Sequence, residues 1–154
     1  MNETDAALMK LVFRVEDIGF SLVVEHLVEV VQLRAADIDP GGANDEQGVP
    51  GTFSYREKTV PLVDLRRVFG LQAEETIPEE VTALMLGGED GLWGALVGDV
   101  EGVFPEETFK TGDLPISLIC SGQKLYSQLD IRRGEPFVCL EPDKIDRLRT
   151  AGCL

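Results

Sequence analysis

The sequence predicts an all-β protein made of two similar β-rich halves, and three observations carry that expectation. Short apolar runs with alternating or β-branched residues recur from Leu11–Val15 to Phe137–Leu140. Glycine occurs 16 times, as the bends and bulges of small curved sheets require. The order of elements also repeats. A shift of 72 positions lays Gly19, Phe20, Val24 and Val28-Glu29 on Gly91, Leu92, Leu96 and Val100-Glu101, and a shift of 77 lays Arg56, Val60 and Asp64 on Arg133, Phe137 and Glu141. Two half-domains, each closing a small sheet, leave fewer open edges than one flat sheet would.

The elements follow in order. Leu11, Phe13 and Val15 alternate with Val12, Arg14 and Glu16, a strand with at least one buried face. Asp17-Ile18-Gly19 reads as a turn and Phe20 to Val24 as the returning strand. Glu25 to Leu33 is open between helix and strand, with Val28, Val30 and Val31 favouring a strand at its end. Ala35 to Gly51 is rich in Asp, Gly and Pro and reads as a long loop. Thr52–Arg56 and Thr59–Val63 form a second hairpin about a Glu57-Lys58 turn, with Pro61 marking an edge strand or a strand end. Asp64 caps a helical turn over Leu65–Phe69 that Gly70 stops.

Glu74 to Glu80 is acidic and contains Pro78, which suits a linker between the halves. Val81–Leu86 and Leu92–Val97 make a further hairpin, and Val100 and Val103 repeat the pattern of Val28 to Val31. Phe104 to Pro115 reads as irregular. Ile116–Cys120 and Phe137–Leu140 are short strands, and Asp143–Arg149 is a final helix with Ile145 and Leu148 three apart. A single domain over 8–151 is expected, with halves at about 11–75 and 81–148 between which strands can be exchanged.

Composition narrows the function. The 154 residues include 28 acidic and 14 basic ones, a net charge of −14. Nucleic acid needs a basic footprint, and so does an anionic membrane surface. No run approaches the roughly 20 apolar residues of a membrane span, and Met1 to Lys10 is too polar for a signal peptide. The three cysteines, Cys120, Cys139 and Cys153, form no C-x-x-C, so neither a metal knuckle nor a redox pair is indicated. His26 is the sole histidine, and no serine sits in a nucleophile elbow. Gly87 to Gly91 lacks the order of a phosphate-cradling loop. No catalytic residue, metal or cofactor is expected, so recognition of another protein is the leading class.

Gly51-Thr52-Phe53-Ser54-Tyr55-Arg56-Glu57-Lys58-Thr59-Val60-Pro61-Leu62-Val63-Asp64-Leu65-Arg66-Arg67-Val68-Phe69-Gly70 resembles the signature of the CheW-type chemotaxis coupling family, roughly G-x-x-N-L-R-G-x-x-x-P-V-x-D-L-R-x-x-x-G. Leu11–Val15, Val28–Val31 and Arg133–Glu141 are similar to the family's first strand, its E-V step and its final strand. The resemblance implies two SH3-like five-stranded β-barrels with short helices. It implies a cytoplasmic, non-enzymatic adaptor recruited to membrane receptor arrays. Its partners would be a chemoreceptor signalling tip, seated between the barrels, and the regulatory domain of a chemotaxis histidine kinase. The alternative is a divergent module that binds one partner only, or that serves another two-component pathway.

The residues expected to meet partners are Arg56, Glu29, Tyr55, Glu57, Lys58, Arg66 and Arg133. Arg56 leads, as half of a couple with Glu29. The alternative for that couple is an ordinary surface ion pair worth about 0–1 kcal/mol. Asp64, Pro61, Gly51 and Gly70 are expected to be structural. Leu22, Val24, Leu27, Val30, Leu62, Leu96 and Val100 are apolar candidates for a docking face, most of them core. Glu57 stands where the family has Gly, at a hairpin turn where a positive φ is costly for any residue with a Cβ.

Overall fold

The structure, a computed structural model, describes residues 8–44, 48–71, 77–113 and 128–151. The chain opens with a hairpin, β1 (Met9–Val15) and β2 (Ile18–Val23), followed by a 3₁₀ turn and β3 (Leu27–Arg34). The β4 (Gly51–Tyr55) and β5 (Lys58–Asp64) hairpin runs into the short helix α1 (Leu65–Val68). The same series then recurs: β6 (Glu80–Gly88), β7 (Gly91–Val97), β8 (Val100–Pro105), a short β9 (Lys110–Asp113), β10 (Gln128–Arg132), β11 (Glu135–Cys139) and the helix α2 (Pro142–Ala151).

The strands form two curled sheets, one of six strands in the order β8-β1-β2-β11-β10-β9 and one of five in the order β3-β6-β7-β5-β4. The sheets do not follow the boundary between the halves. The first hairpin, β1-β2, joins the strands of the second half, and β6-β7 completes the sheet of the first half. β3 crosses over to pair with β6, and β8 returns to pair with β1. Each hairpin also docks by a short parallel ladder, Val138↔Phe20 in one sheet and Leu62↔Gly94 in the other.

Two apolar cores result. One lies between the sheets and takes Leu11, Phe13 and Phe20 from one side and Leu84, Leu86 and Trp93 from the other, closed by Leu65, Leu140 and Ile145 beside the helices. The second lies inside the curl of the five-stranded sheet, with Phe53, Tyr55, Leu62, Ala83 and Met85. The six-stranded sheet has a polar interior instead. Lys10 Nζ donates to Asp130 at 2.7 Å, Ser21 Oγ donates to the same oxygen at 2.7 Å, and Thr111 donates to the other carboxylate oxygen. The repeat shows what was exchanged. With the turns superposed, Lys10 corresponds to Ala83, Ser21 to Gly94 and Asp130 to Phe53. This alignment needs a spacing of 73 in the first hairpin, since Val15↔Ile18 and Gly88↔Gly91 flank the two turns, so the spacing of 72 is one residue short.

Several boundaries differ from the sequence reading. The first turn is Glu16-Asp17, one residue earlier than expected. The 35–51 loop is tied down by 3₁₀ turns and by bridges Asp39↔Thr52 and Asn44↔Val49. Phe104–Pro115 contains the end of β8 and all of β9, because β9 pairs with β10, a strand its polar sequence Lys-Thr-Gly-Asp does not announce. The Ile116–Cys120 strand, Glu74 to Thr76 of the 74–80 linker, Cys120 and Cys153 lie outside the described residues.

The structural residues have identifiable work. Asp64 is buried and accepts the Arg66 N–H at 3.0 Å as the cap of α1. Gly70 ends the helix with φ +69°, while Leu71 N–H reaches Arg66 O and Gly70 N–H reaches Arg67 O, the Schellman pattern. A Cβ on Gly51 would stand 2.3 Å from the Asp39 carbonyl oxygen. Pro61 lies in an internal strand, not an edge, but pairs only with β4; the ladder to β7 starts one residue later, so its missing N–H breaks no bond.

Candidate functional site

The five-stranded sheet ends on β3 at one side and β4 at the other. No ladder joins these two edges, and side chains close the seam. Tyr55, at the end of β4, donates its hydroxyl to Glu29 of β3, and Arg56 Nη2 donates to the same Glu29 oxygen at 2.9 Å. The Arg56 guanidinium lies 4.9 Å from the Tyr55 ring centre. The Arg56 side chain is 69% exposed, whereas Tyr55 is buried and packs beside Phe53 in the sheet's interior. The Glu29 carboxylate accepts a hydrogen bond from the protonated phenol and so raises the Tyr55 pKa above its ordinary value.

Arg56 does not sit within a strand, as the sequence reading had it. The hairpin register pairs Tyr55 with Lys58, so Arg56 and Glu57 are the two turn residues, with φ of +50° and +67°. Two left-handed residues give the primed turn whose twist suits a two-residue hairpin. The corresponding turn of the second half is Arg133-Gly134, with φ of +55° and +80°. Glu57, Lys58 and Arg133 are exposed at these tips.

Arg66 has a different place. Its side chain is 13% exposed and forked on Asp64 through Nε and Nη2, with Glu16 3.9 Å from Nη1. It braces the helix cap rather than facing solvent.

The apolar candidates divide in the same way. Leu22, Leu62 and Leu96 are core, and Val24 and Leu27 pack against the shared core from partly buried positions. Val30 and Val100 are exposed, and so are Val28 and Val103, which the sequence reading did not single out as docking residues. Their placement follows from register. Val30 lies opposite Leu84 and Val103 opposite Leu11, and paired residues share a face. Leu84 and Leu11 belong to the core between the sheets. That core therefore runs out to the surface along β3 and β8, each of which pairs on one side only.

Around β8, Arg14 bonds Glu101 and Glu135, each at 2.6 Å, and the Arg132 guanidinium stacks 3.9 Å from the Phe104 ring centre. Glu101 thus has Arg14 as its partner, and Glu29 has Arg56. The Arg14 contacts were not visible in the linear sequence, because their partners come from strands that only the exchange brings together.

A polar cavity of about 370 Å³ at the end of the six-stranded sheet is lined by both His26 and Cys139, together with Lys10, Gln128 and Lys144. Burial, and the nearby Asp130 charge, push the Cys139 thiol up to about 11. At that value the thiol is held protonated near neutral pH. Among the described residues no group of three or more His, Cys, Asp or Glu is placed to hold a metal ion, and no helix is long and apolar enough to cross a membrane.

Compared with known protein families, the chain matches the CheW-like domain over residues 10–144. It belongs to that family. This CheW-like domain is thus an adaptor of the chemotaxis-coupling kind, in a family of scaffolds and adaptors. Among solved structures it is similar to the scaffolding protein TtCheW from Thermoanaerobacter tengcongensis, at 16% identity and a TM-score of 0.71, over 90% of this chain and 92% of that one. At that identity the likeness is one of fold. No curated protein matches the sequence. Within the CheW-like domain, the signature residues Gly51, Pro61, Asp64 and Gly70 serve the backbone, and Arg56 is the signature side chain left in solvent.

Proposed function

We propose that this domain is a non-enzymatic coupler with two separate docking surfaces on one body. The first takes the helical hairpin of a chemoreceptor tip along β3 and β8. The second, at the hairpin tips with Arg56, Glu57, Lys58 and Arg133, meets the regulatory domain of a chemotaxis histidine kinase. One observation carries this reading: the shared core surfaces as exposed valines on two edge strands, at positions where an isolated protein gains nothing from them. An amphipathic helix laid there would bury its apolar face against Val28, Val30, Val100 and Val103. At the second surface, Glu29 holds the exposed Arg56 as an oriented polar contact. Holding two partners on one body raises their effective concentration and fixes their geometry.

Co-purification tests it. The domain is expected to retain the receptor's cytoplasmic hairpin and the kinase regulatory domain together. Val30→Glu should lose the receptor fragment and Arg56→Glu should weaken partner capture, both with an unchanged melting curve. Normal capture by both variants would overturn the reading. A specific observation gives the alternative weight: Glu57 replaces the family's Gly at one tip. Capture of the receptor hairpin alone by the unaltered chain would make it a single-interface module.

A further inference from the structure

Tyr55 stands where the family signature carries leucine, and its position gives it two contacts that leucine cannot make. Its hydroxyl donates to Glu29, and its ring lies under the Arg56 guanidinium at 4.9 Å. With the Arg56–Glu29 bond of 2.9 Å the three side chains form a closed triangle. One corner is fixed by the protein interior, since Tyr55 is 7% exposed and packs beside Phe53. The opposite corner is the 69% exposed Arg56, borne on a two-residue turn. An exposed arginine on such a turn samples many rotamers unless something holds it.

We propose that Tyr55 is the positioning residue of the Arg56 surface, holding Glu29 from below so that the guanidinium is presented in one orientation before a partner arrives. This rests on the reading of Arg56 as a docking residue. Preorganisation of this kind strengthens binding by removing an ordering cost rather than by adding a contact. Tyr55 itself touches no partner, and its buried place excludes it from the contact surface where the sequence reading had put it.

The test uses the full chain with two probes, the receptor's cytoplasmic hairpin and the kinase regulatory domain. Arg56→Ala, Tyr55→Phe and the double variant are compared for affinity, and relaxation of the Arg56 Nε–H is followed by NMR. Tyr55→Phe keeps the ring and the fold. It should weaken binding of whichever probe Arg56→Ala weakens, by about 3- to 10-fold. The double variant should bind no worse than Arg56→Ala, the melting temperature should hold, and the Arg56 Nε–H should become mobile. Wild-type affinity or an unmoved Arg56 signal in Tyr55→Phe, with Arg56→Ala still defective, overturns the positioning role alone. Wild-type affinity of Arg56→Ala for both probes overturns the docking reading, and this inference with it.

Discussion

Asp130 is fully buried and surrounded by three donors, Lys10, Thr111 and Ser21. Burial works to raise its pKa, but the Lys10 ammonium and the two hydroxyls outweigh it and hold the carboxyl below its ordinary value of 3.8. The stabilisation it gives is therefore complete above the unfolded value and lost as pH falls through the folded one. Asp130→Asn should cost about 3 kcal/mol near neutral pH by leaving Lys10 buried without its counter-charge. The gap to wild type should narrow as urea titrations move down toward pH 3; a gap independent of pH would contradict this. Glu57 gives a second prediction. Its φ of +67° is strained for a side-chain-bearing residue, and the sister turn answers the same need with Gly134. Glu57→Gly should stabilise the fold by about 0.5–1 kcal/mol in urea denaturation. The family resemblance pointed to that turn, because it sets a glycine where this chain has Glu57, and the structure shows that the positive φ is kept. The sequence did not show that Arg66 is braced inward while Arg56 is exposed, since exposure depends on which strands lie alongside.

Strands and turns were legible where their own residues decide them. β1, β5, β6 and β7 carry apolar or β-branched runs, and α1 has both its cap and its stop in sequence. β9 and β10 were not, because β9 is polar and exists through its ladder to β10. Two glycines separate local from non-local causes. Gly70 needs a positive φ but has open space where a Cβ would go. Gly19 lies 2.5 Å, at its would-be Cβ, from the Phe137 ring, where β2 and β11 make the parallel link of the six-stranded sheet. Gly70→Ala should cost about 1 kcal/mol, the price of the turn conformation alone. Gly19→Ala should cost about 2–3 kcal/mol, since ring and strand must both shift. Thermal or urea denaturation that reverses this order would show that the β2–β11 junction is softer than its contacts imply.

The halves were readable as a repeat between which strands can be exchanged, but which strands cross was not, because a repeat fixes which elements recur and not which copies pair. The exchange decides how the molecule unfolds. Each sheet contains a hairpin from the other half, and the core between the sheets draws on both. Asp130→Asn, in one sheet, and Phe53→Ala, in the other, should lower the midpoint of one shared transition in calorimetry. Two resolved transitions would mean that the sheets melt apart. The same interlacing sets what load the adaptor can bear. A tug on a protein gripping β3 passes through the β3–β6 ladder into the opposite half of the chain, and a tug on the Arg56 turn reaches that same half through the β5–β7 ladder. In the coupler proposed above, the two grips cannot drift apart by opening a hinge, so the domain would act as a stiff spacer, and the distance kept between its neighbours would be set by strand pairing rather than by a linker.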